Sequence, residues 1–343
     1  MQTDWEHTGQ KKYQLKLTKD LIPGFEPKDK NNKPITADSD EYVTAYRKAL
    51  GNYSKSIDIE AIGVFDTVGA LGIPIHPWLW RTFPFIPTFL RSNYRFYDTS
   101  IGDHVKHAYH ALALDEQRAA FAPTVWEREQ NGVTKLEQVW FSGVHSNIGG
   151  GYAEAMVSNM SLAWMMQKLR DIVHFDEGYL KKLVDENREF YARRPRAPDS
   201  EASYKLGDAV WRWGLGLLYN SNALPTSLAG KLVRTPFQYK KTDYNTGRPL
   251  AISDNNLHNT NEKIHPSVRA RYGYGGKDYS GAAYKSEALK DWKLDGNVWT
   301  YTGSVKGNDA PTSTTLVESD MAGFEYDLLD YDPQMRKDLG FLV

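Results

Sequence analysis

The stretch "LEQVWFSGVHSNIGGGY", residues 136–152, joins an apolar run to a glycine-rich loop that contains a single histidine. The apolar run has the length and composition of a strand that is buried on both faces, since short apolar runs bounded by turn residues are typical of such strands. Gly143 and the three glycines at 149–151 permit positive φ angles and a close backbone approach. The stretch therefore predicts a buried strand that ends in a loop positioning His145.

A second strand of the same kind is predicted in "IDIEAIGVFDTVGALG", residues 57–72, with Asp66 at its carboxyl end. Helical spacing of apolar residues predicts one helix over 102–117, capped by Asp103, and another over 158–173. The order strand, helix, strand, helix predicts an α/β fold with a mostly parallel sheet. Ligands bind at the carboxyl ends of the strands in such sheets, and both Asp66 and His145 are expected there.

The overall composition excludes several classes of function. The chain has 343 residues, a formal net charge of −1 and no cysteine. No basic run is present, so we do not expect a nucleic-acid partner. The lack of cysteine excludes disulfides, thiolate catalysis and Cys-based metal sites. The first residues show no apolar signal-peptide core, so a cytoplasmic location is expected.

Two aromatic segments have alternative interpretations. Segment 72–90, "GIPIHPWLWRTFPFIPTFL", contains four prolines and an arginine, which rule out a membrane-spanning helix. It is predicted either to cap the core or to form a lid or a membrane-surface contact. Segment 207–220, "GDAVWRWGLGLLYN", is predicted to be a helix that is either buried or part of a lid. A polar helix is predicted over 176–194, and turns, strands and a final helix are expected after 275.

Other histidines and glycines were weighed as binding sites. The segment "HVKHAYH" places His104, His107 and His110 three residues apart, and two histidines one helical turn apart can share a metal. On a helix the first and last would lie about 240° apart, so all three could not converge on one metal. The glycine-rich stretches fit neither the P-loop nor the dinucleotide-binding pattern. We therefore predict no metal and no cofactor. His265, in "NEKIHPSVRARY", is predicted to be a structural corner, with a place near the pocket as the alternative.

Four segments in order resemble one known family. They are "IEAIGVFDTVGALGIP", "HALALDEQRAAFAP", "QVWFSGVHSNIGGGY" and "NEKIHPSVRARY", and they resemble motifs of the type VI secretion phospholipase-effector catalytic domain. The resemblance covers roughly residues 1–275, which predicts a catalytic domain there and a C-terminal extension over 276–343. It implies a lipase-like or phospholipase-like serine hydrolase with a lipid or ester substrate, in which Asp66 is the triad acid and His145 the triad base. The order of acid before histidine also agrees with α/β-hydrolases.

The sequence departs from this family at the nucleophile. No serine in the 343 residues has a glycine two positions before it, so the Gly-x-Ser-x-Gly elbow is missing. We expect a partial α/β-hydrolase-like fold without the N-terminal strands and elbow, and no hydrolysis by the isolated chain. Three classes of function remain open: a hydrolase completed by a longer transcript, a pseudoenzyme or protein- or lipid-binding remnant, and an unstable fragment with unpaired strand edges.

Overall fold

The computed structural model describes residues 25–36, 39–53, 58–68, 70–71, 94–95, 99–176, 178–193, 212–221, 230–242, 249–305 and 307–341. Its contacts divide the chain into two units, residues 1–58 and 59–343. The predicted boundary at residue 275 remains a prediction. Segment 72–90 lies outside the described residues.

The first unit contains helix α1 (Asp40–Tyr53). Ser39 caps this helix, because its Oγ accepts the backbone N–H of Tyr42 over 3.1 Å. Tyr42 and Tyr46 are buried, and each ring meets the ring of Phe25 edge to face, at centroid distances of 5.5 and 5.0 Å. These three aromatic residues are the centre of a small core within this unit.

The second unit contains the strands and the remaining helices of the described chain. Its strands are β1 (Ile59–Phe65), β2 (Ala70–Leu71), β3 (Tyr94–Arg95), β4 (Ser100–Ile101), β5 (Val105–Ala113), β6 (Glu127–Arg128), β7 (Lys135–Phe141), β8 (Glu262–Ile264), β9 (Trp292–Asp295), β10 (Val298–Tyr301) and β11 (Thr315–Val317). Its α-helices are α2 (His145–Ile148), α3 (Met156–Leu169), α4 (Gly178–Arg193), α5 (Pro266–Gly273), α6 (Phe324–Leu329) and α7 (Pro333–Asp338), and short 3-10 turns span Ala119–Phe121, Glu287–Leu289 and Gly307–Asp309.

The main sheet is parallel and has the strand order β1-β5-β7-β8. Helix α3 packs on this sheet against β1 and β5. A side chain at Gly63 would place its Cβ only 2.6 Å from the sulfur of Met165, so the glycine in β1 allows the helix to approach closely. A mostly parallel sheet with flanking helices confirms the predicted α/β class.

The helix predicted over 102–117 is wrong, because residues 105–113 form strand β5. This strand lies between β1 and β7, and nearly all of its side chains after Lys106 are buried. Apolar residues at 105, 108, 109 and 112 fit the spacing of a helix, and they also fit a strand that is buried on both faces. Periodicity alone does not distinguish a buried helix from such a strand. Asp103 caps no helix; its Oδ1 instead accepts the backbone N–H of Val133 over 3.0 Å.

The helix predicted over 207–220 is also wrong in its described part, because residues 212–220 are irregular. Gly214 has a φ of 80°, a conformation that does not occur inside a helix. The carbonyl of Gly216 accepts from Arg271, and the N–H of Leu217 donates to Glu154. Side chains from elsewhere therefore satisfy the backbone here, and Trp213 is buried.

The last part of the chain forms an antiparallel sheet of order β11-β10-β9, followed by α6 and α7. This matches the expected strands and closing helix, and α4 falls within the predicted 176–194. None of the helices in the described parts of the chain has the length and hydropathy that a bilayer crossing needs.

Candidate active site

Asp66 directly follows β1 and is held by the end of β5. Its backbone N–H donates to the carbonyl of Ala111 over 2.7 Å, and its Oδ1 accepts the N–H of Ala113 over 2.9 Å. The residue is fully buried and has a φ of 44°, which is uncommon for any residue other than glycine. Strained backbone of this kind persists only where surrounding contacts hold it, and it is concentrated at functional sites.

The loop that carries His145 follows β7 and is also tied to the end of β5. Gly143 has a φ of 113°, and its N–H donates to Oδ2 of Asp115 over 2.6 Å. The N–H of His145 donates to Oε2 of Glu116 over 3.2 Å. Asp115 and Glu116, which follow β5 and Leu114, thus fix the backbone on both sides of Val144. His145 is the first residue of α2.

The structure brings the side chains of Asp66 and His145 together. Nδ1 of His145 lies 2.8 Å from Oδ2 of Asp66, and the His145 side chain is 29% exposed while that of Asp66 is fully buried. The hydrogen-bond network assigns the ring proton to Nδ1, because an ionised carboxylate can only accept. Nε2 of His145 has no hydrogen-bond partner among the described residues, and in this tautomer it carries the ring's lone pair.

A third residue, Arg234, completes this arrangement. Its Nη1 and Nη2 lie 3.1 Å from Oδ1 and Oδ2 of Asp66 respectively, and Nη2 also donates to the carbonyl of Phe121 over 2.7 Å. The guanidinium is only 1% exposed. Sequence analysis missed Arg234, because it lies in an irregular segment, 168 residues along the chain from Asp66, with no recognisable pattern around it.

The electrostatics keep Asp66 ionised. Burial alone would raise the pKa of its carboxyl group, but the Arg234 guanidinium, the His145 hydrogen bond and the Ala113 N–H outweigh burial and lower the pKa to about 2. Asp66 therefore carries a negative charge at neutral pH, although water does not reach it.

A buried polar network lies beside Asp66 on β5. Nε2 of His110 accepts the N–H of Thr67 over 3.0 Å, and Nδ1 faces Oε1 of Gln138 at 3.3 Å. Burial lowers the pKa of His110 to about 4, despite the opposing effect of the Asp66 charge, so the ring is neutral. His110 therefore supports the backbone next to Asp66.

The three histidines of "HVKHAYH" do not form a metal site. Because β5 is a strand, His107 and His110 fall on opposite faces, and Nδ1 of His107 lies 3.1 Å from the hydroxyl of Tyr109. Within the described ranges, no group of three or more potential metal-ligating side chains occurs.

Phe121 packs against the His145 ring, and Arg118 packs on Phe121. The Phe121 ring meets the imidazole edge to face at 5.0 Å, and the Arg118 guanidinium lies 3.5 Å above the centre of that ring. Arg118 also donates to both oxygens of Glu116, each over 2.9 Å. Burial would raise the pKa of Glu116, but Arg118 outweighs it and lowers that pKa. The His145 backbone N–H thus donates to the ionised carboxylate of Glu116, whose charge is compensated by Arg118.

His265 belongs to a separate buried cluster that resembles a triad in composition. Its Nδ1 lies 2.7 Å from Oγ of Ser267, and its Nε2 lies 3.1 Å from Oε1 of Glu325. All three residues are at most 2% exposed. The backbone N–H of Ser267 also donates to Nδ1, so His265 caps helix α5 and links it to α6. No substrate could reach Ser267 in this arrangement.

Part of the chain matches a known protein family. Residues 8–168 fit the family model described as T6SS, phospholipase effector Tle1-like, catalytic domain. This match confirms the family resemblance. It includes Asp66, His145 and three of the four motifs, and it ends before "NEKIHPSVRARY" and before Arg234. A Tle1-like match supports a lipase-like function. No curated protein and no solved structure matches the chain.

Proposed function

We propose that Asp66 and His145 are the acid and the general base of a serine hydrolase site for lipid or carboxylic esters. The observation that carries this proposal is the 2.8 Å contact between Nδ1 of His145 and Oδ2 of Asp66. A Ser-His-Asp site needs this contact, because the carboxylate fixes the imidazole tautomer and stabilises the imidazolium that forms. Nε2 then remains available to accept the hydroxyl proton of a nucleophilic serine.

The second part of the proposal is that the isolated chain does not complete this reaction. Its 343 residues contain neither a Gly-x-Ser-x-Gly sequence nor a cysteine. Ser267 is a poor substitute because it is buried and bonded to its own histidine. Since triad members act as a unit, the loss of the nucleophile removes most of the rate enhancement.

The substrate class follows from the Tle1-like match rather than from contacts. A phospholipase effector family supports a lipid substrate. We further propose that segment 72–90 contacts the membrane surface, because its tryptophans and phenylalanines suit a lipid boundary. The near-neutral net charge of −1 gives no support for a nucleic-acid partner.

Ester hydrolysis by the purified chain tests the second part. With p-nitrophenyl butyrate and with phosphatidylglycerol vesicles, we expect the rate to equal that of the His145→Ala variant. Turnover that disappears in His145→Ala would contradict the proposal. A fluorophosphonate probe gives an independent result, and we expect no labelled serine in the isolated chain.

A longer product of the same gene tests the first part. Where such a product carries an in-frame Gly-x-Ser-x-Gly, we expect phospholipid hydrolysis that falls by about 10⁴-fold or more on His145→Ala. An unchanged rate in that variant would show that His145 is not the base.

The missing elbow also favours a second candidate, a pseudoenzyme that binds lipid or protein without catalysis. Flotation of the chain with anionic vesicles distinguishes this candidate. Binding that leaves the vesicles unhydrolysed would favour the pseudoenzyme, whereas recovery of all the chain in the bottom fraction would argue against the lipid-binding form.

A further inference from the structure

Arg234 contacts Asp66 through two points rather than one. Nη1 faces Oδ1 and Nη2 faces Oδ2, each at 3.1 Å, and the side chain is 1% exposed. A two-point contact of this kind fixes the plane of a carboxylate as well as compensating its charge. Arg234 lies outside residues 8–168, so the Tle1-like match assigns it no role.

The carboxylate of Asp66 has its full set of hydrogen bonds. Oδ1 accepts from the Ala113 N–H and from Arg234, and Oδ2 accepts from His145 and from Arg234. Four donors match the roughly four lone-pair sites of a carboxylate. Asp66 cannot rotate away from His145 without breaking at least two of these contacts.

We propose that Arg234 is a positioning residue for His145: by holding the carboxylate of Asp66 ionised and fixed, it keeps the imidazole proton on Nδ1 and the lone pair on Nε2. The importance of this role for catalysis rests on the proposed function, because only a general base needs a free Nε2. The tautomer itself exists whether or not the chain is an enzyme.

The physical reason is the burial of Asp66. Burial raises the pKa of this carboxyl group, and Arg234 is the largest of the effects that oppose it. Without the guanidinium, the pKa of Asp66 rises, because burial is then opposed only by the His145 and Ala113 contacts. When Asp66 takes up one proton from water, its O–H donates to Nδ1, and the neutral ring then carries its single proton on Nε2. The lone pair would then point towards the acid and not towards a substrate.

Long-range ¹H–¹⁵N NMR of the ¹⁵N-histidine-labelled full chain at pH 8 tests the proposal, since it reports which ring nitrogen carries the proton. In the wild type we expect His145 to be protonated on Nδ1. In Arg234→Met we expect most of the signal to shift to the Nε2-protonated tautomer. Arg234→Lys restores the charge without the two-point contact, and it should recover the Nδ1 tautomer only in part.

Arg269 provides the matched control. Its Nε and Nη2 donate to the two oxygens of Glu318 over 2.7 and 3.0 Å, and both side chains are largely buried. Arg269→Met therefore removes a similar pair elsewhere, and it should leave the His145 tautomer unchanged.

Two results would overturn the proposal. The first is a wild-type His145 protonated on Nε2. The second is a wild-type tautomer in any folded variant that lacks the two-point contact, with Arg234→Gln used if Arg234→Met does not fold. Esterase activity of the isolated chain would contradict the second part of the proposed function and would leave the tautomer result unaffected, so the two failures are distinguishable.

Discussion

Ala113 donates its backbone N–H to the carboxylate of Asp66 over 2.9 Å, while the Asp66 N–H donates to Ala111, two residues earlier on the same strand. The last residues of β5 therefore fix both the backbone and the side chain of the acid. His145 is the fourth residue after β7. Strand β5 lies between β1, which leads to Asp66, and β7, which leads to His145.

Removing the charge of Asp66 should destabilise the fold more than removing the His145 ring. Asp66→Asn leaves the buried Arg234 without a counter-charge, which we expect to lower the free energy of unfolding by about 3–5 kcal/mol. His145→Ala leaves the Asp66–Arg234 pair intact and removes a partly exposed ring, so the expected loss is about 1–2 kcal/mol. Urea unfolding at pH 7 measures both. Equal losses would mean that Arg234 does not depend on Asp66 for its charge compensation.

Gly143 should tolerate a side chain less well than Gly150. Both have positive φ, 113° and 83°, but a Cβ at Gly143 would lie 2.7 Å from the Cβ of Asn147, whereas nothing lies within 4 Å of one at Gly150. Gly143→Ala should therefore cost about 1–3 kcal/mol more than Gly150→Ala, because close contact adds to the shared backbone strain. Thermal unfolding of the two variants compares them. A smaller loss for Gly143→Ala would show that the loop after β7 is not held as tightly as its contacts indicate.

His110 should contribute a loss of stability below about pH 6.5, because its ring must stay neutral in the folded chain. Burial lowers its pKa from 6.5 to about 4, so between these values the unfolded state binds more protons than the folded state. The contribution of His110 to stability therefore decreases as the pH falls, by about 3 kcal/mol over this window.

Buried carboxyl groups such as Glu154 and Glu262 have pKa values raised by burial, so their contribution to stability increases as the pH falls. Because this effect opposes that of His110, the His110 contribution must be isolated by comparing variants. His110→Gln should reduce the loss of stability between pH 7 and pH 5, measured by urea unfolding. The same change at the exposed His258, outside this buried network, serves as the control. An unchanged loss in His110→Gln would assign the pH dependence to other groups.

Ser267 should be chemically inert in the folded chain. It has a histidine and a carboxylate nearby, but all three side chains are almost completely buried. Mass spectrometry after fluorophosphonate treatment should find no adduct on the peptide that contains Ser267, as in the Ser267→Ala variant. A labelled Ser267 under native conditions would reveal an opening of the α5–α6 region that the structure does not contain.

The sequence allows strands β1 and β7 of the main sheet and the closeness of Asp66 and His145 to be predicted, because each residue follows an apolar run typical of a strand in a parallel sheet. It does not allow β5 to be recognised, because a central strand buried on both faces has no alternation of polar and apolar residues. Arg234 could not be predicted either. Its position depends on an irregular segment whose path is set by tertiary contacts such as that with the Phe121 carbonyl.

The fourth strand of the main sheet, β8, lies almost a hundred residues beyond the end of the Tle1-like match. Its Glu262 accepts the indole N–H of Trp140 over 2.9 Å, and Arg234 also comes from beyond residue 168. A recombinant fragment ending at residue 168 would therefore expose the edge of β7 that pairs with β8. It would also leave the indole N–H of Trp140 without its acceptor and Asp66 without the Arg234 guanidinium. Expression of the family segment alone should yield aggregated material, and any dissection of this chain must retain residues through at least 264.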